Sequence, residues 1–217
     1  MWLHSIGLIA VAFASLLRRY VRKSLKQKQS QKRFVVLITG VSGCGKSTLA
    51  GRLADTLKAP IVHQDDHFSA PFVQYKDAID NRMERPDNVD FNGIIKRVKL
   101  FAEGAVHVCP IVIIEGHTLL SSDDVVAMVD LIIFLNVENV ETALKRRVGR
   151  RKRDATTNFH LSAYIRRFVW TSHKELIVPK LDVLLAQEDP RLHILRAEDA
   201  IDCLAEESLA IISKLRT

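Results

Sequence analysis

From residue 34 onward the chain alternates two kinds of apolar pattern. Short continuous runs, FVVLIT (34–39), PIVHQ (60–64), PIVIIEG (110–116), VDLIIFLNV (129–137) and RLHIL (191–195), have the composition of strands buried on both faces. Between them lie segments with helical spacing. Residues 46–57 set Leu49, Leu53 and Leu57 four apart on one face. FNGIIKRVKLFAEG (91–104) reads as a helix ending at Gly104. NVETALKRRVGRR (139–151) and SAYIRRFVWTSHKELIV (162–178) read as helices with a basic stretch between them, and AEDAIDCLAEESLAIISKL (197–215) as a closing amphipathic helix. Residues 66–89, with Pro71, Pro86 and many polar side chains, read as loop. Strands alternating with helices predict an α/β fold, a parallel sheet covered by helices on both faces. No internal repeat or low-complexity linker follows residue 33.

The first 33 residues follow a different pattern. WLHSIGLIAVAFASLL (2–17) is apolar apart from His4 and small serines, and RRYVRKSLKQKQSQKR follows it. A cleavable secretory signal carries its positive charge before the apolar run, not after it. Three readings stay open: a membrane anchor through residues 2–17 that leaves residues 18–217 facing the cytosol, a mitochondrial targeting segment, and a loosely attached tail or mis-assigned start. The domain division expected is therefore 1–33 and 34–217.

Locating the charge changes its meaning. The net charge of +7 comes from 32 basic and 25 acidic residues. Eight of the basic residues and none of the acidic ones lie in 1–33, leaving 24 against 25 in the rest. The globular part is near neutral, so a nucleic-acid partner does not follow from overall charge. Cys44, Cys109 and Cys203 are widely spaced, and no CxxC or Cys/His cluster occurs. A disulfide framework and a zinc site are both disfavoured, and a reducing compartment fits.

The strongest chemical signal is GVSGCGKS, Gly40 to Ser47, which matches G-x-x-x-x-G-K-[ST] between a buried strand and an amphipathic helix. Gly40, Gly43 and Gly45 let the backbone wrap inward, so that N–H groups from Ser42 through Gly45, Cys44 included, converge on an anion. The helix N-terminus adds partial positive charge. Lys46 is then expected to reach the β- and γ-phosphates of ATP, and Ser47 to hold Mg²⁺. The fold class expected is a P-loop NTPase three-layer sandwich with a basic lid. A right-handed crossover brings HQDDH to the same sheet edge, where Asp65 or Asp66 can accept the proton of an attacking hydroxyl. Glu115, at the end of IVII, is positioned as a magnesium-side acid. KRRVGRRKR (145–153) holds seven basic residues in nine. It reads as a lid, about 146–160, closing over a triphosphate. The segments that a signalling GTPase needs for switching and base reading are missing.

Taken together, GVSGCGKSTLAGRLA, IVHQDDHF, MERPDNVDF, IVIIEGHTLL, ALKRRVGRR and YIRRFVWTSHKEL resemble, in that order, the uridine kinase-like superfamily over roughly residues 34–196. They look closest to its nicotinamide riboside kinase branch. The resemblance implies a monomeric or dimeric kinase that phosphorylates the 5′-hydroxyl of a riboside with ATP and Mg²⁺. By position, Asp65 matches the branch's general base. Lys46, Ser47 and Thr48 match phosphate and metal residues, and Glu115 the magnesium-side acid. Phe68 matches an aromatic on the riboside base, and Arg147 with Arg150 or Arg151 the lid arginines. Glu84 falls where relatives have an aspartate gripping the ribose hydroxyls, with Asp87 as the fallback. Two departures stand out. His67 replaces an expected aromatic, and LFAEGAVHVCP lacks the pyrimidine-reading segment of uridine kinases, which leaves nicotinamide riboside ahead of uridine or cytidine; His107, in that stretch, reads as a surface residue. Two other classes remain open: a non-catalytic, membrane-tethered nucleotide-binding module, and a nucleic-acid enzyme or adaptor using the basic stretch.

Overall fold

The computed structural model describes residues 33–103, 109–150 and 152–216. The apolar and basic segment expected at 1–33 lies, apart from Arg33, outside the described residues, as do His107 and Arg151. Among the described residues no helix is long and apolar enough to cross a membrane.

The strands are β1 (Phe34–Gly40), β2 (Ile61–His63), β3 (Ile111–Gly116), β4 (Leu131–Asn136) and β5 (Leu192–Arg196). They form one sheet in the order β2-β3-β1-β4-β5, every neighbouring pair parallel. The helices are α1 (Lys46–Leu57), α2 (Phe91–Glu103), α3 (Asp123–Met128), α4 (Val140–Gly149), α5 (Ala155–Tyr164), α6 (Val178–Ala186) and α7 (Ile201–Arg216). Between α5 and α6 the helical path continues through two π-turn segments, Ile165–Val169 and His173–Ile177.

The unbroken apolar runs are explained by where the strand side chains go. Successive side chains of a strand point to opposite faces. On β1, Val36 and Ile38 join a core with Leu49 and Leu53 of α1 and Leu204 and Ile212 of α7. Val35 and Leu37 join a second core with Ile94 and Val98 of α2 and Leu181 and Leu184 of α6. Both faces are covered, giving the three layers that the alternation predicts. Each fully buried Leu or Ile contributes about 1.5–3 kcal/mol of transfer free energy, so the central strand is held from both sides.

Four local expectations are revised. Helix α3 was not legible, because six residues are too few to display a period; Ser122 starts it by accepting from Val125 N at 3.3 Å. The helix expected from 162 begins at Ala155, where the Asp154 side chain accepts from Thr157 N at 2.8 Å. The closing helix begins at Ile201, not 197. Ala197 N instead donates to Asn136 O (2.8 Å) and Asp199 N to Arg196 O (3.1 Å), so 197–200 form a loop at the sheet edge. The 66–89 segment contains short 3-10 turns, Tyr75–Asp77, Arg82–Glu84 and Pro86–Asn88, after a first one at Gln64–His67.

Candidate active site

Strand β1 hands over to α1 through a loop that only glycine permits at three points. Gly40 has φ +139°, Gly43 φ +94° and Gly45 φ +106°, values that L side chains rarely adopt. A Cβ on Gly43 would lie 2.6 Å from Ala143 O, and one on Gly40 would collide with Leu135 O. Leu49 N donates to Gly45 O at 3.0 Å, the first bond of α1, so the N–H groups of Lys46 to Thr48 point out of the helix N-terminus. Lys46 is 8% exposed, and its Nζ donates to Val41 O at 3.1 Å, inside the loop. Arg146 Nη1 donates to Cys44 O at 3.2 Å, which ties α4 to the loop backbone. Burial pushes the Cys44 thiol above its ordinary pKa, outweighing the opposing pull of Lys46, so this cysteine is a packing group.

The loop forms one end of a cleft of about 740 Å³. Ser42 to Thr48, Arg146, Arg147, Gly149 and Arg150 line that end, with Ala197, Asp199, Ile201 and Leu204 beside them. Asp65, Phe68, Phe72, Tyr75, Met83, Glu84, His117 and Tyr164 line the other. Glu115 stands between the two. It lies opposite His63 in the β2–β3 register, and His63 Nδ1 is 2.7 Å from its Oε1. Ser47 Oγ is 3.3 and 3.2 Å from its two oxygens. A hydroxyl and a carboxylate are hard oxygen donors of the kind Mg²⁺ takes, and this cation keeps most of its shell for phosphate and water. Among the described residues no cluster of three or more His, Cys, Asp or Glu could hold a metal unaided. The donor set therefore fits a magnesium ion shared with a bound phosphate.

At the far end Glu84 accepts from the Tyr164 hydroxyl at 2.8 Å, and its other oxygen lies 3.1 Å from His117 Nε2. That second contact is an ion-pair distance, skewed from the line of a hydrogen bond. Burial pushes the Glu84 pKa up, but His117, Tyr164 and the charge of Arg147 outweigh it, so the carboxyl sits below its ordinary value and is ionised at neutral pH. Tyr164 is raised above its ordinary value, first by burial and then by Glu84. Tyr75 packs against Tyr164 with centroids 5.2 Å apart and against Phe72 at 5.3 Å, edge on. Behind the loop His173 is pushed down to about 4, first by burial and then by the charge of Lys46. It stays neutral, stacked on Phe134.

Among the residues singled out in the sequence, Ser42 to Thr48, Asp65, Phe68, Glu84, Glu115, Arg147 and Arg150 are brought together in this cleft. Gly40 lies beneath the loop as its hinge. Asp66 does not line the cleft. Neither does Asp87: its turn, Pro86–Asn88, aims it outward, where it is exposed and paired with Arg85 at 3.1 Å, so the fallback to Glu84 is withdrawn. His117, Tyr164, Arg146 and Asp199 line the site without having been singled out. Arg146 lay within the basic run and Tyr164 within a helical one, but no spacing rule marks either as facing a ligand.

No family model matches the chain, and no curated protein matches it in sequence. Solved structures do match its shape. A gluconokinase from Sinorhizobium meliloti 1021 superposes with a TM-score of 0.54 at 15% identity, covering 85% of this chain and 94% of that one. A sugar kinase from Janibacter sp. HTCC2649 gives 0.56 at 17% identity, covering 83% and 95%. The fold these kinase structures share with the chain is an α/β one, a parallel sheet between layers of helices. At these identities the likeness reports the fold: a parallel five-stranded sheet whose central strand carries the phosphate-type loop.

Proposed function

We propose that the protein is an ATP- and Mg²⁺-dependent kinase acting on a hydroxyl of a small acceptor, a riboside at its 5′-position, with nicotinamide riboside as the first candidate. The observation that carries this reading is the single cleft that joins the Lys46 loop to Asp65. The loop N–H groups, Lys46 and the lid arginines Arg147 and Arg150 hold the triphosphate, joined by Arg146. Asp65 takes the proton of the acceptor hydroxyl as its oxygen attacks the γ-phosphorus, and the bond to the β–γ bridging oxygen breaks to release ADP. Ser47 and Glu115 hold Mg²⁺, which when bound neutralises charge on the phosphates. Lining of the cleft by Asp65 and not by Asp66 supports Asp65 as the base on this reading.

The acceptor end favours a ring-bearing molecule. Phe68, Phe72 and Tyr75 offer π-faces, and ionised Glu84 can accept two hydroxyl hydrogens or attract a cationic ring. A sugar acid would set its carboxylate against Glu84, which argues against a gluconate-like acceptor. An uncharged sugar is the second reading, supported by the sugar kinase among the structural neighbours. The test is acceptor-dependent ADP release across nicotinamide riboside, uridine, cytidine, adenosine, gluconate and a neutral hexose. A ring-bearing riboside should give the highest kcat/KM. Asp65→Asn should lower its turnover by about 10²–10⁴ with ATP affinity nearly intact, and Asp66→Asn by less. ATP binding without acceptor-dependent turnover on any of them would sink the enzyme reading in favour of a non-catalytic module.

A further inference from the structure

Gln64 is fully buried and polar, and it does not line the cleft, yet two of the residues it touches, Gly116 and His117, do. Its Oε1 accepts from Thr118 N at 3.0 Å. A backbone N–H can only donate, so this bond fixes which end of the amide is oxygen. The amide nitrogen then faces His117 Nδ1 at 3.3 Å, and an NH₂ group can only donate to it. Nδ1 is thereby the accepting nitrogen of the neutral ring, and the ring proton falls on Nε2, 3.1 Å from Glu84 Oε2. The opposite tautomer would set a lone pair against a carboxylate oxygen at that distance. The seat for Gln64 is Gly116: a Cβ there would lie 2.5 Å from the Gln64 Cβ. The glutamine before the two aspartates and the glycine after Glu115 are thus two halves of one contact.

We propose that Gln64 is a positioning residue for acceptor recognition: it sets the His117 tautomer, which presents a proton rather than a lone pair to Glu84 Oε2, 3.1 Å away, and so biases by electrostatics where that carboxylate stands in the cleft. The inference rests on the kinase reading for its kinetic readout, while its spectroscopic readout stands apart. Gln64 never touches the acceptor, but the fit of hydroxyls to Glu84 depends on it. Tyr164 holds the other Glu84 oxygen from α5, so the carboxylate is fixed from two sides of the cleft.

The experiment uses the full chain, with heteronuclear NMR of the imidazole nitrogens alongside steady-state kinetics. In the unaltered protein His117 should show protonated Nε2 and bare Nδ1. Gln64→Glu keeps an oxygen for Thr118 N but offers Nδ1 an acceptor, so the ring proton should move to Nδ1. Acceptor KM should rise roughly 10- to 100-fold in both Gln64→Glu and Gln64→Met, with ATP KM changed less than about twofold, the range expected when a buried polar contact is lost. His117→Gln, whose amide nitrogen can reach the Nε2 position, should keep more acceptor affinity than His117→Asn. ATP KM also reports folding, since the phosphate loop is intact only in the native sheet. A proton on Nδ1 in the unaltered protein, or a Gln64→Met protein with unchanged acceptor KM, overturns the proposal. If no acceptor is turned over, the kinase reading fails and the tautomer alone decides this one.

Discussion

At the loop end of the cleft, neighbours in sequence are neighbours in space: Gly40 to Thr48 form one turn and one helix start. At the acceptor end, Gln64, Glu84, His117 and Tyr164 come from four elements spread over a hundred residues. The first end is made of backbone. The direction of its N–H dipoles is set by φ angles, and glycine at 40, 43 and 45 is the requirement. The second is made of side chains, each aimed by another side chain. Backbone architecture is written locally, whereas a chain of side-chain bonds is written only in the tertiary fold.

Breaking the loop end should have the largest effect. Lys46→Ala removes the fixed positive charge nearest the transferring phosphoryl group and should lower turnover by on the order of 10²–10³ or more. Single-turnover measurement with saturating ATP checks this, and a near-normal rate would end the kinase reading. At the acceptor end the effect should be smaller and confined to one substrate. Glu84→Gln keeps the shape but removes the charge, so acceptor KM should rise about tenfold and ATP KM stay level. A parallel rise in both constants would mean that the two ends are not separable.

A third prediction concerns the packing that supports both ends. His173 ionises at about 4 in the fold, against 6.5 ordinarily. Its neutral form is the stable one, so its contribution is full above pH 6.5 and is lost as pH falls toward 4, about 3 kcal/mol in all. The acid limb of a stability–pH curve measured by urea unfolding should therefore flatten in His173→Phe between those values. Identical limbs would remove His173 as its source. The smallest effect is expected at Asp87, exposed and outside the cleft. Asp87→Asn should leave acceptor KM within about twofold, and a change as large as that of Glu84→Gln would reinstate it as a substrate residue.

These contrasts explain what could be read in advance. The sheet was legible because β1, β3 and β4 are buried on both faces, so FVVLIT, IVII and LIIFL are unbroken apolar runs, while the marginal β2 and β5 are more exposed. The loop was legible because its chemistry needs glycines and a lysine at fixed spacing. Asp65 was legible as one of a pair and was picked out by the resemblance, and after the 3-10 turn Gln64–His67 it is the one of the two that lines the cleft. His117 was not legible, since a histidine after a strand-end glycine has no periodic signature. Asp87 read as the fallback to Glu84, but it stands exposed beside Arg85, outside the cleft that Glu84 lines. Residues 197–200 read as helix because their composition suits one, while the Ala197 bond to Asn136 O holds them in a loop beside the phosphate end.

The sheet order adds something further. The strand that carries the phosphate loop is flanked on both sides, by β3 and β4, whereas β2, which leads into the Gln64–Asp65 turn, is a three-residue strand at the margin. A change in the central loop disturbs the pairing of three strands, but a change after β2 disturbs one edge. On the kinase reading the two ends of the cleft are thus unequally rooted: the phosphate loop springs from the centre of the sheet, and the Gln64–Asp65 turn at the acceptor end hangs from its border, where a change leaves the central pairings untouched.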